Sequence, residues 1–153
     1  RALLAGGLHE LAVLVLPETA VAGLPVLPLQ GETRENDGQR AVVVGYPTGL
    51  ALLLARADEQ LVDSLRRTQA NMTQAIASLA GAGQITPLIT QGIVSNVDER
   101  KIVYDAPTTH GGSGGPVFDG NGEVIAVNFA IMPGYVGANF GVPIRFAREL
   151  LAQ

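Results

Sequence analysis

An all-β fold with a helical insertion and a short C-terminal helix is what this sequence predicts, and three observations carry that reading. Short apolar runs recur at regular spacing between turn residues. Glycine and proline are frequent, 19 and 9 of 153 residues, which favours short elements and tight turns over long helices. Only one long stretch, residues 55–80, lacks both, and there the apolar spacing changes from strand-like to helical. With 47% apolar residues the chain has enough material to bury a core.

The elements follow in order. Residues 11–16 form an apolar run closed by Pro17, and residues 24–29 are extended and punctuated by Pro25 and Pro28; both read as strands or strand edges. Residues 31–40 are polar, with Asn36-Asp37-Gly38 as a turn signal, and read as a linker. Residues 41–44 are a buried strand stopped by Gly45-Tyr46-Pro47-Thr48-Gly49. Leu61, Leu65, Met72, Ile76 and Leu79 then fall at helical spacing, with polar residues between them, and Gly81-Ala82-Gly83 supplies the stop. This predicts one amphipathic helix, packed on the body or offering a partner surface over 56–80. Past Gly92, residues 93–94, 101–104, 116–118, 124–127 and 140–144 are short strands, with Asp119-Gly120-Asn121-Gly122 as a hairpin turn. Residues 145–152 close the chain as a short helix. Such strands suit an antiparallel barrel or a sandwich.

Composition removes several function classes. The net charge is −4, there is no basic run, and aromatic residues are only 5%, which argues against a nucleic-acid surface. No run approaches the ~20 apolar residues of a membrane span. Cysteine is absent, so disulfides, thiolate chemistry and cysteine-held zinc are excluded. No cofactor signature is present. The chain opens at Arg1 with no initiator Met or signal-like segment, and reads as N-terminally truncated.

The chemistry concentrates in Thr108-Thr109-His110-Gly111-Gly112-Ser113-Gly114-Gly115-Pro116. Acyl transfer needs an exposed hydroxyl and backbone N–H groups converging on the developing oxyanion. Glycines before a serine let the backbone turn its amides inward, and glycines after it let a substrate chain come close. A flexible Gly-Ser linker fits poorly, because the segment is brief and runs through Pro116 directly into Val117-Phe118.

The segment resembles the nucleophile loop of trypsin-fold serine peptidases, and Tyr104-Asp105-Ala106-Pro107 before it resembles the bacterial HtrA-like branch. Gln91-Gly92-Ile93-Val94-Ser95, Gly122-Glu123-Val124-Ile125-Ala126-Val127-Asn128 and Phe140-Gly141-Val142-Pro143-Ile144 are similar to further strands of that branch. The resemblance covers residues 9–50 and 91–153. It implies a trypsin-like antiparallel β-barrel: the second barrel over 41–153, interrupted by the helical insertion at about 55–80, and trailing strands of the first barrel over 1–30.

It also implies roles. Ser113 is the nucleophile, and the amides of Gly111 and Ser113 form the oxyanion hole. Glu10, in Glu10-Leu11-Ala12-Val13-Leu14, stands where the family has an Asp; the extra methylene changes how it would hold an imidazole. The family's catalytic His precedes that acid, which puts it ahead of Arg1, so the 153 residues alone are expected to hydrolyse little. His9 neighbours Glu10 on a strand and faces the other way. His110 borders the cleft as a substrate contact rather than as the base. A metal site from His9, Glu10 and His110 has too few ligands to be expected. Gly112 replaces the Asp that binds a freed N-terminus in chymotrypsin-like enzymes. Pro107 and Thr108 match the floor of the substrate pocket, and Asn128, Phe129 and Ala130 match the edge strand to which a polypeptide substrate adds. The rival reading is a pseudo-peptidase that binds peptide or a partner without cleaving it. An extracytoplasmic or periplasmic location rests on the resemblance alone.

Overall fold

A computed structural model of the chain describes residues 2–4, 11–31, 37–46, 49–108, 111–131 and 137–152. Six strands close a barrel: β3 (Arg40–Gly45), β4 (Leu88–Val97), β5 (Ile102–Tyr104), β6 (Pro116–Phe118), β7 (Val124–Ile131) and β8 (Asn139–Pro143), in the order β3-β4-β5-β8-β7-β6. Every neighbouring pair is antiparallel, and the pairing of β3 with β6, Val43 opposite Val117, closes the ring. This fulfils the trypsin-like barrel expectation and removes the sandwich.

Alternation explains the closure. On β3, Ala41 and Val43 point inward while Val42 and Val44 are half-buried, so a one-residue slip would expose the core face. The inward residues converge with Val94, Ile102, Tyr104, Ala106, Val117, Ile125 and Ala126 into one core. Each aliphatic side chain fully removed from water contributes about 1.5–3 kcal/mol. The β6–β7 hairpin turns where Asp119-Gly120-Asn121-Gly122 predicts it. Asp119 Oδ1 accepts from the amides of Asn121 at 2.8 Å and Glu123 at 3.0 Å, pairing backbone groups that the ladder leaves open.

Helix α5 (Ile144–Leu151) lies against β7, β8 and the small strand β2 (Ala12–Leu14), which itself pairs with β1 (Ala2–Leu4). Between β2 and the barrel the structure differs from expectation. A short helix, α1 (Glu18–Val21), follows Pro17, too short to leave a periodic signal. Residues 24–28 form no strand; instead Leu29 makes a single parallel bridge to Val124, with Gln30 N donating to Val124 O and Val124 N to Pro28 O. Among the described residues no helix is long and apolar enough to cross a membrane.

The insertion is helical as expected, but it is three helices rather than one: α2 (Leu50–Arg56), α3 (Glu59–Arg67) and α4 (Met72–Gly81). Two local stops override the continuous period. Asp58 caps α3, its carboxylate accepting from the amides of Gln60 and Leu61. Gln69 takes a positive φ of 49°, and Asn71 with Gln74 forms a reciprocal capping box that restarts the chain as α4. The buried residues are therefore Leu53, Val62, Ala75 and Leu79, while Met72 and Ile76 of the expected apolar stripe stay exposed. Arg56 closes the neck of the insertion by donating to Thr86 O, Thr86 Oγ1 and Pro87 O.

Two isoleucines on barrel strands separate core from surface. Ile125→Ala, at a fully buried position, is expected to destabilise the fold by about 2–5 kcal/mol, and Ile89→Ala, 65% exposed, by less than about 0.5 kcal/mol. Urea unfolding of both variants checks the difference.

Candidate functional site

Residues 105–108 and 111–115 lie between β5 and β6, and side-chain hydrogen bonds hold the first of these stretches in place. Asp105 Oδ1 accepts from Ile93 N at 2.7 Å, Thr90 Oγ1 donates to Pro107 O at 2.5 Å, and Asn139 Nδ2 donates to Ala106 O at 2.8 Å. Asn128 Nδ2 donates to Thr108 Oγ1 at 3.4 Å, and Asn128 Oδ1 accepts from the Tyr104 hydroxyl at 2.5 Å. Tyr104 is fully buried, and desolvation pushes its phenol well above the ordinary tyrosine value of about 10.

The second half is a tight turn. Gly115 N donates to Gly112 O at 3.0 Å, and Gly114 has φ 86°, which is the pattern of a type II turn with Ser113 and Gly114 at its corners. Gly111, with φ 93°, supplies the reversal just before it. Ser113 is exposed at the apex, and its hydroxyl donates to Phe129 O at 3.3 Å. The turn is held from below by β7: Gly114 N donates to Asn128 O at 2.7 Å and Asn128 N to Gly115 O at 2.9 Å. At Gly115 a Cβ would lie 2.2 Å from Val44 O and 3.0 Å from Gly112 O, so only glycine fits between β3 and the turn.

Pro107 and Thr108 line a shallow recess with Val43, Gly45, Leu88, Thr90 and Gly112, and none of these side chains carries a charge. Past Asn128, whose backbone is bonded to Gly114 and Gly115, residues 129–131 of β7 pair with no strand on the β6 side among the described residues, and this edge runs beside Ser113. Phe129 sits at a bulge between the Asn128–Gly141 and Ala130–Phe140 pairs.

The structure therefore gathers Pro107, Thr108, Gly111, Ser113, Asn128, Phe129 and Ala130 at one end of the barrel. Asn128 is turned inward, only 2% exposed, with both ends of its amide and both of its backbone polar groups bonded. His9, Glu10 and His110 lie outside the described residues. Among the described residues no three His, Cys, Asp or Glu side chains are grouped to hold a metal. Sequence reasoning gave no role to Tyr104, Thr90 and Asn139. The available signal was an asparagine ending the apolar run of β7, since a buried amide needs partners.

A family model described as a trypsin-like peptidase domain matches residues 3–127. The chain is 28% identical over 133 residues to a probable periplasmic serine endoprotease DegP-like of Chlamydia trachomatis, covering 85% of this chain and 22% of that protein. A protein of the same description from Halomonas elongata is 28% identical over 134 residues, 77% of this chain and 28% of that one. Among solved structures, the serine endoprotease from Yersinia pestis superposes with a TM-score of 0.59 at 19% identity, covering 86% of this chain and 36% of that one. An HtrA-type protease with decapeptide gives 0.55 at 21% identity, covering 85% and 32%. The chain thus spans only about a quarter of the length of these two curated relatives.

Two outcomes test the site's construction. Gly115→Ala should cost about 1–3 kcal/mol through the clash with Val44 O, read as a lowered melting temperature. Above pH ~10 the unfolded Tyr104 loses its proton while the folded one keeps it, so the unfolded state binds fewer protons and stability falls as pH rises. Urea unfolding between about pH 9 and 11 should show a steeper fall for the parent chain than for Tyr104→Phe.

Proposed function

Because the chain belongs to the trypsin-like peptidase domain family, we propose that it carries the nucleophile and oxyanion hole of a serine endopeptidase. The observation that carries this reading is the exposed Ser113 at the corner of a hydrogen-bonded turn, with left-handed glycines at 111 and 114 and β7 holding it from below. In the reaction Ser113 Oγ bonds to the scissile carbonyl carbon, and a histidine base takes the hydroxyl proton. The amides of Gly111 and Ser113 stabilise the oxyanion, and the same base returns the proton to the departing amine. Water then hydrolyses the acyl-enzyme by the reverse sequence. Glu10 is assigned to orient the imidazole, and the histidine to a position ahead of Arg1, following the order of groups in the family.

The substrate is a polypeptide, bound as an added strand along the β7 edge at Phe129 and Ala130, with His110 bordering the cleft. A pocket floored by Pro107 and Thr108, with no charge in the recess they line, suits a small or medium apolar side chain better than Lys or Arg. The relatives are described as periplasmic proteases, which supports an extracytoplasmic location. The domain reading is that residues 1–30 are the trailing strands of a first barrel, 31–40 a linker and 41–153 the second barrel. The helical insertion at 56–80, with Met72 and Ile76 exposed, is kept as a partner surface outside the reaction.

One contact favours the pseudo-peptidase alternative: the Ser113 hydroxyl is spent on Phe129 O, an arrangement that binds rather than attacks. Fluorophosphonate labelling of the full-length protein decides between the two. Covalent labelling at Ser113, abolished by Ser113→Ala, is expected of the peptidase; an unlabelled Ser113 in a folded protein that binds peptide establishes the binding module.

A further inference from the structure

We propose that Asn128 is the positioning residue of the nucleophile turn, fixing Ser113 relative to the edge strand that continues from it. The inference rests on the peptidase reading above and concerns a residue whose side chain does not face the cleft.

Asn128 makes four hydrogen bonds while only 2% exposed. Its backbone holds both residues that follow the nucleophile, Gly114 at 2.7 Å and Gly115 at 2.9 Å. Any residue in a strand could make those two bonds. The side chain is what demands asparagine. Its oxygen accepts from the buried Tyr104 hydroxyl and its nitrogen donates to Thr108 Oγ1, so the position needs a neutral side chain with a polar atom at each end. Leucine bonds to neither hydroxyl, and aspartate, when ionised, could accept from both but places an uncompensated charge in the core.

The consequence is geometric. Tyr104 ends β5, Thr108 stands three residues before Gly111, and Asn128 is the last β7 residue bonded to the turn before the edge continues at Phe129. One amide thus locks three segments: the core strand, the entry to the turn, and the edge proposed to receive a substrate backbone. A substrate paired along Phe129 and Ala130 must bring its carbonyl to Ser113 and the oxyanion amides at the same time, and an error of about 1 Å in that relation costs ~10²-fold in rate. A fully satisfied polar network in a low-dielectric core resists such displacement better than apolar contacts, because hydrogen bonds are directional.

The test uses the full-length protein and three variants: Asn128→Leu, Asn128→Asp and the double variant Tyr104→Phe/Asn128→Leu. The single variants should label at Ser113 with fluorophosphonate ~10²-fold more slowly than wild type, and kcat should fall more than KM changes on a peptide substrate. The double variant removes both partners of the buried bond, which restores the melting temperature without restoring the geometry. Slow labelling in a double variant of near-parental melting temperature is the expected result; labelling that recovers together with the melting temperature makes Asn128 merely structural and overturns the proposal. Amide hydrogen exchange supplies a readout independent of activity. Residues 111–115 should exchange faster in Asn128→Leu while β3 and β4 are unchanged, and uniform acceleration across the barrel would overturn the proposal. If the wild type itself fails to label, the peptidase reading is lost, and the exchange pattern alone judges the role of Asn128.

Discussion

The backbone of residues 112–115 approaches β3 so closely that no side chain fits at Gly115, and the polar groups of that turn are paired through Asn128 of β7 and Gly112 rather than through a regular ladder. Much else follows from this contact. It sets where β6 starts, at Pro116, and therefore how β6 reaches both β3 and β7 to close the ring. It also raises Ser113 to an exposed corner while every neighbour in the turn is braced. The same glycines serve packing and chemistry together: left-handed backbone at 111 and 114 turns the amides, and the missing side chain at 115 admits Val44 O.

The barrel interior divides its work between an apolar core and a polar seam. Ala41, Val43, Val94, Val117 and Ile125 contribute burial, which is strong but indifferent to small shifts. Tyr104, Asn128, Thr108 and Asn139 contribute direction, because each bond is lost if its segment slides. The seam lies at the end of the barrel that carries Ser113, which is where direction matters.

The helical insertion leaves this arrangement undisturbed. It departs after Gly45 and returns at Leu88, and those two residues are paired across β3 and β4, so the inserted residues add length without altering register. Arg56 ties the neck, and the entropy cost of a long loop grows only slowly with its length. The apolar run of β3, the hairpin at Asp119 and the 111–115 glycines were all legible because each is a local pattern. The three-way break of the helix was less so: Asp58 and Asn71 are capping residues, yet the helical period continues across them, and only the observed backbone shows that the caps win.

By itself the sequence determined the succession of strands along the chain, the helical character of the insertion, the glycine-framed turn at Ser113 and the family to which these patterns point, since apolar runs, turn chemistry and motif spacing act over a few residues. The tertiary structure alone decided that Asn128 faces inward, and that Tyr104, Thr108 and the turn at residues 112–115 share its hydrogen bonds. Tyr104 and Thr108 lie 24 and 20 residues from Asn128 along the chain, and an amide at the end of an apolar strand reads the same whether it meets water or a buried hydroxyl. Only the closing of the barrel brings that hydroxyl to it.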